Sequence, residues 1–242
     1  MSPRITVATS RRVLTQLRHD PRTIAMMLIV PGVLLSLLWW IYDGGPVFDQ
    51  IGPALLAIFP FVIMFLVTSI ATLRERTSGT LERLLSMPTG RLDFLLGYAL
   101  AFGLVAIVQA LIVVVIAVAA LDMQVDGPLA LLVLVAVLDA LLGTALGLFV
   151  SAFAATEFQV VQFMPALVLP QFLLCGLLVP RDDLPGVLEG LSDVLPLSYA
   201  VDAMTEVQFS AEPAVWGYAA IIVGFAIALL ALGAATLRRR TP

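Results

Sequence analysis

The chain has 242 residues, 61% hydrophobic and 12% charged, against about 45–50% apolar and about 25% charged in a soluble domain, so it reads as a polytopic membrane protein. All 13 basic residues are Arg and none is Lys, which excludes a phosphate-binding Gly-x-x-x-x-Gly-Lys-Ser/Thr loop. A single cysteine, Cys175, and a single histidine, His19, exclude an intrachain disulfide framework, a Cys-based zinc site and a histidine relay.

Residues 1–22 carry Arg4, Arg11 and Arg18 at heptad spacing, with Val7, Val13, Leu14 and Leu17 on the other side. That pattern predicts an amphipathic interfacial helix, apolar side in lipid and Arg side toward phosphates. Six apolar runs follow, at about 23–42, 51–73, 94–121, 129–153, 159–179 and 214–237. Each is close to the ~20 residues that cross a ~30 Å hydrocarbon core. Trp39, Trp40 and Tyr42 make an aromatic belt at the far end of the first. With this count, every Arg except Arg181 falls on one side, so both termini are expected in the cytoplasm.

Arg74 to Asp93 is the longest polar interruption in the first half of the chain. It predicts a short helix lying flat: Ser78 or Thr77 caps it and Gly79 opens it. Leu81, Leu84 and Leu85 share a face away from Glu82 and Arg83, and Pro88 and Gly90 end it. Such a helix needs something to press on.

Within the fourth run, Asp139 sits near mid-bilayer, where a carboxylate costs about 2.5–3.5 kcal/mol and must face the bundle interior or water. Gln109, Gln159, Gln162 and Gln171 add amides in or near the third and fifth runs. A polar lining for a substrate path and helix-to-helix hydrogen bonding both account for Asp139; for the glutamines hydrogen bonding is the simpler reading. Gly143, Gly147 and Ser151 repeat at four-residue spacing, which suits close helix packing.

Residues 180–213 mix acids with apolar repeats, Leu184, Val187, Leu188 and Leu191, then Tyr199, Ala203 and Val207. Pro185 and Pro196 interrupt them. Two short helices dipping into the outer leaflet would hide those faces.

Two segments carry a family resemblance. Glu75-Arg-Thr-Ser-Gly79-Thr80-Leu81-Glu82-Arg-Leu84-Leu85-Ser-Met-Pro88 is similar to the signature of ABC exporter permeases of the ABC-2 type. Leu184-Pro185-Gly186, with Leu195-Pro196-Leu197-Ser198-Tyr199-Ala200-Val201-Asp202, resembles that family's outer helical hairpin before the last span. Two departures stand out: Leu195 where the family often has Asn, and Tyr98 where a Lys is common.

The resemblance implies an all-α, six-span fold with a coupling helix between spans two and three. Glu75, Gly79, Thr80, Leu81, Glu82, Leu84 and Leu85 would meet a separate cytosolic ABC ATPase, present in two copies and holding the ATP and Mg. No cofactor is expected in this chain. A second permease copy or a related permease completes the path, in the plasma membrane and with no nucleic acid involved. Pro185, Gly186, Pro196 and Tyr199 would shape the outer hairpin. Apolar-walled spans favour a hydrophobic drug or lipid over a polysaccharide. An ion-coupled secondary transporter is the alternative, but it calls for paired broken helices and several buried charges. A membrane scaffold would not need a coupling helix.

Overall fold

The computed structural model describes residues 3–77 and 91–236. Among these, no strand occurs and nine α-helices follow one another. They are α1 (Pro3–Arg18), α2 (Pro21–Ile41), α3 (Pro46–Thr77), α4 (Arg91–Val115), α5 (Leu129–Ser151), α6 (Glu157–Leu174), α7 (Gly186–Ser192), α8 (Pro196–Phe209) and α9 (Trp216–Thr236). A wide π turn, Ile116–Ala120, extends α4, and a 3₁₀ turn, Arg181–Asp183, precedes α7. Six helices are long and apolar enough to cross a membrane: α2, α3, α4, α5, α6 and α9.

The bounds differ from the apolar runs in instructive places. Helix α3 begins earlier, at Pro46, and continues through Arg74–Thr77, so the start of the polar interruption belongs to a 32-residue helix. Thr77 is the last residue of that helix, and its hydroxyl donates back to the Leu73 carbonyl at 3.1 Å; the short helix it is expected to cap lies outside the described residues. Helix α6 stops at Leu174, before Cys175 and Gly176, whose positive φ of 97° breaks the helix.

Helices α3, α4 and α5 form the interior, while α2, α6 and α9 present most of their surface outward. The spine is the pair α3 and α5. A Cβ on Gly143 would meet the Phe61 carbonyl oxygen at 2.5 Å, and one on Gly147 the Phe65 oxygen at 2.6 Å. These two glycines let the backbones touch. The contact pairs ascend together, so the helices run in the same direction.

Prolines inside α2 and α3 each remove an N–H and free the carbonyl four residues back. In lipid such a carbonyl must find another donor. Pro31 frees Met27, whose oxygen accepts from Gln109 Nε2 of α4 at 2.7 Å. Pro53 frees Asp49, whose oxygen accepts from Gln208 Nε2 of α8 at 2.7 Å.

The N-terminal helix docks differently from a helix floating on its apolar side. Its buried residues are Thr6, Ser10 and Val13, and they pack on α4. A Cβ on Gly97 would meet Thr9 Cβ at 2.6 Å, so α4 offers a notch there. Leu14 and Leu17 are half-buried, whereas Val7 is exposed. Small residues win this contact because they allow close approach, which the Arg and Val pattern alone does not reveal.

Candidate functional site

The Arg-rich end of the bundle is built around the two helix ends that carry residues 78–90. Gly79, Thr80, Leu81, Glu82, Leu84 and Leu85 lie outside the described residues; Glu75 lies within them, on α3. Its carboxylate is half-buried and receives Arg12 of α1 at 3.2 Å and Gln16 of α1 at 2.9 Å. Arg12 also donates to the Tyr98 hydroxyl of α4 at 3.2 Å. One turn of α1 is thereby pinned between α3 and α4. Tyr98, which stands where the resembled family often has Lys, supplies an uncharged acceptor for that Arg.

Three more contacts complete the collar. Arg74 donates twice to Glu157 at the start of α6, at 2.7 and 3.1 Å. Arg76 donates to the carbonyl of Ser151, the last residue of α5. Thr6 donates to Asp93 at the start of α4, at 3.4 Å. The Arg74–Glu157 pair is exposed and worth at most about 1 kcal/mol. The Arg12–Glu75 pair is more enclosed, so losing one partner strands a charge with less water to receive it. Around both ends of 78–90, then, α1, α5 and α6 are fastened to α3 and α4.

The opposite end has its own hub. Arg181, the one Arg on that side among the described residues, donates to Ser192 at 2.8 Å, to Asp193 at 2.6 Å and to Asp202, and lies 5.2 Å from the Tyr199 ring centroid. Burial pushes the Asp202 carboxyl up from its ordinary value, and Arg181 offsets this only in part. Tyr199 Oη donates to the Asp193 carbonyl at 2.7 Å. Pro185 precedes α7 and Gly186 opens it, with free space around the glycine. Pro196 opens α8, where a missing N–H costs nothing. Leu195 cannot cap α8 with its side chain; Gln171 of α6 replaces it, its Oε1 accepting from the Leu197 N–H at 3.3 Å.

In the bundle centre, Asp139 is fully buried and neither carboxylate oxygen has a hydrogen-bond partner. The other polar candidates do not gather around it by any hydrogen bond. Gln109 reaches α2, Gln171 reaches α8 and its own helix, and Gln162 faces outward from α6. Arg12, Glu157, Arg181 and Gln208 are the residues sequence reasoning passed over. Only Arg181 carried a signal, as the single exception to the charge asymmetry.

Comparison with known families settles the class of fold. The family model described as ABC-2 type transporter matches residues 4–209. The chain belongs to the ABC-2 type transporter family. It is similar to the "Probable multidrug ABC transporter permease YbhR" of Escherichia coli, at 30% identity over 155 residues, 64% of this chain and 42% of that protein. It is also similar to the "Linearmycin resistance permease protein LnrN" of Bacillus subtilis, at 26% identity over 87% of this chain and 55% of that protein. A eukaryotic relative, "ABC transporter G family member 20" of Dictyostelium discoideum, shares 26% identity over 66% of this chain and 22% of its own length. The ABC-2 chain thus spans between about a fifth and just over half the length of these relatives. This ABC-2 chain is a multi-pass membrane protein by family and by its six apolar helices.

Proposed function

We propose that this chain is the membrane-spanning subunit of an ATP-driven exporter in the plasma membrane, with ATP and Mg held by a separate cytosolic ATPase. Two ATPase copies and a second permease copy, or a related permease, complete the assembly. The observation that carries this reading is the collar: the helix ends bearing residues 78–90 are fastened to α1, α5 and α6. A segment that is to transmit ATPase closure must be attached stiffly to the helices it moves. In this reading 78–90 holds the coupling helix, with Leu81, Leu84 and Leu85 filling a groove on the ATPase and Thr80 and Glu82 at its rim.

Sidedness supports the same arrangement. Among the described residues every Arg but Arg181 falls on one side of the six helices, so in this reading that side and both termini are cytoplasmic. Helices α7 and α8 then lie on the outer side. Val187, Leu188, Leu191 and Val194 are exposed around α7, as expected of a hairpin dipping into the outer leaflet. Multidrug and linearmycin resistance in the names of two relatives supports a hydrophobic drug or lipid-like cargo.

The test is a double substitution, Leu84→Ala with Leu85→Ala. Truncating apolar anchors typically costs about 1–4 kcal/mol each, and Ala keeps the helix. The variant should insert in the membrane yet lose its ATPase on co-purification and lose export. Normal assembly and export would remove 78–90 from the coupling role.

A further inference from the structure

Between α1, α2, α3 and α4, at the Arg-rich end, lies a cavity of about 500 Å³, a size that holds one drug-sized molecule. Its walls are apolar: Leu17, Met26, Val67, Ile70 and Phe102 come from four different helices. Its polar end carries three charged groups, and their partners differ. Arg74 is engaged by Glu157 through two hydrogen bonds. Glu75 is engaged by Arg12 and Gln16. Asp20 accepts from Thr23, whose hydroxyl donates at 2.6 Å and whose N–H donates at 3.2 Å; Arg74 acts on it only through space, and it takes part in no ion pair among the described residues. Those Thr23 bonds hold its carboxyl below the ordinary value and keep it ionised. The cavity therefore joins an aliphatic and aromatic slot to a carboxylate that no ion pair among the described residues holds.

We propose that this cavity binds a lipophilic organic cation, its apolar body between α1 and α4 and its positive charge facing Asp20. An anion would meet the Asp20 carboxylate at the polar end, where Arg74, the Arg among the described lining residues, is already bridged to Glu157. A neutral apolar molecule would leave the carboxylate without a role. The Phe102 and Tyr98 rings on the same wall add faces that attract a cation. The proposal deepens the export reading by naming a substrate class and a place where it would enter. It rests on that reading for the placement of the cavity at the cytoplasmic face, but the binding step needs no ATPase.

The experiment is equilibrium binding to the permease in phosphatidylcholine nanodiscs, without ATPase. Radiolabelled tetraphenylphosphonium is the probe, and uncharged triphenylphosphine oxide is its control. Asp20→Asn keeps the cap of α2, because Asn caps as well as Asp, and removes the charge. It should weaken phosphonium binding about fivefold, the scale of one exposed charge pair, and leave the oxide unchanged. Ile70→Trp fills the slot and should abolish binding of both, with an unchanged thermal unfolding curve showing that the fold is kept. The proposal is overturned by any of three results: no phosphonium binding to the unaltered chain, equal affinity in Asp20→Asn, or binding that survives Ile70→Trp. The last result also places the probe in surrounding lipid. Phosphonium binding lost while the ATPase still co-purifies would sink this site alone. Co-purification lost while binding persists would sink the exporter assembly alone.

Discussion

Asp139 and Asp202 are both buried acids, and their surroundings give them opposite prospects. Asp139 has no donor for either oxygen, so nothing in the resting fold offsets its burial. Asp139→Leu should raise thermal stability in detergent, because it removes two buried polar atoms that have no hydrogen-bond partner. Reduced export in this stabilised variant would mark a transport role; a fully active variant would mark the residue as structurally dispensable. Asp202 has Arg181, yet burial still raises its carboxyl above the ordinary value of 3.8. A raised acid favours the folded state most when protonated, below the unfolded value. Its contribution is lost as pH rises from there through the raised folded value. The stability difference between the native chain and Asp202→Asn should therefore shift against the native chain from about pH 4 upward. A pH-independent difference would contradict that. Asp139 was legible because a lone charge in an apolar run announces itself. The glutamines were only half legible: Pro31 and Pro53 say which carbonyls are free, but not that Gln109 and Gln208 reach them from 82 and 159 residues away.

At the scale of elements, the collar is the part that sequence reasoning could not assemble. Arg12 and Glu75 lie 63 residues apart, and Arg74 and Glu157 lie 83 apart. Neither spacing has a period that links them. The spans were readable because hydrophobicity is additive along the chain, and the close-packing face of α5 was readable because Gly143 and Gly147 repeat at helical spacing, though nothing in that spacing names α3 as the partner. Helix α1 was half readable. Its amphipathic pattern was plain, but docking through Thr6 and Ser10 depends on the notch at Gly97. A double-mutant cycle on Arg12→Ala and Glu75→Ala measures how stiffly α1 is held. Contacting residues of this kind couple by about 0.5–3 kcal/mol. The cycle should show positive coupling in thermal stability, and each single variant should uncouple ATP hydrolysis from export. Additive effects would mean that α1 and α3 move independently.

For the whole molecule, orientation is the decisive measurement. Single cysteines at Ser78 and Gly190, in a Cys175→Ala background, separate the two sides. Gly190 has open space where a side chain would go, and native Cys175 is buried. An impermeant thiol reagent on intact cells should label residue 190 and spare residue 78. The reverse result would invert the molecule and remove the Arg-rich end from reach of any cytosolic ATPase. Six spans follow from composition, and the expected sidedness from charge. The hubs at the two ends of the bundle do not, because each depends on residues that meet only after the bundle has closed.

Helix α3 has 32 residues, which makes it about 48 Å long at 1.5 Å per residue. The hydrocarbon core is about 30 Å thick, so α3 protrudes from it. Its end on the proposed outer side is held by Gln208 on Asp49, and its end on the proposed inner side by Arg12, Glu157 and Ser151 on Glu75, Arg74 and Arg76. One rod, gripped at both tips, is a thermodynamic link as well as a mechanical one. If nucleotide at the inner tip shifts the outer hairpin, then holding the hairpin must change nucleotide affinity by the same factor. A crosslink between α8 and the outer end of α3 would thus be read, a membrane's width away, as an altered nucleotide dissociation constant.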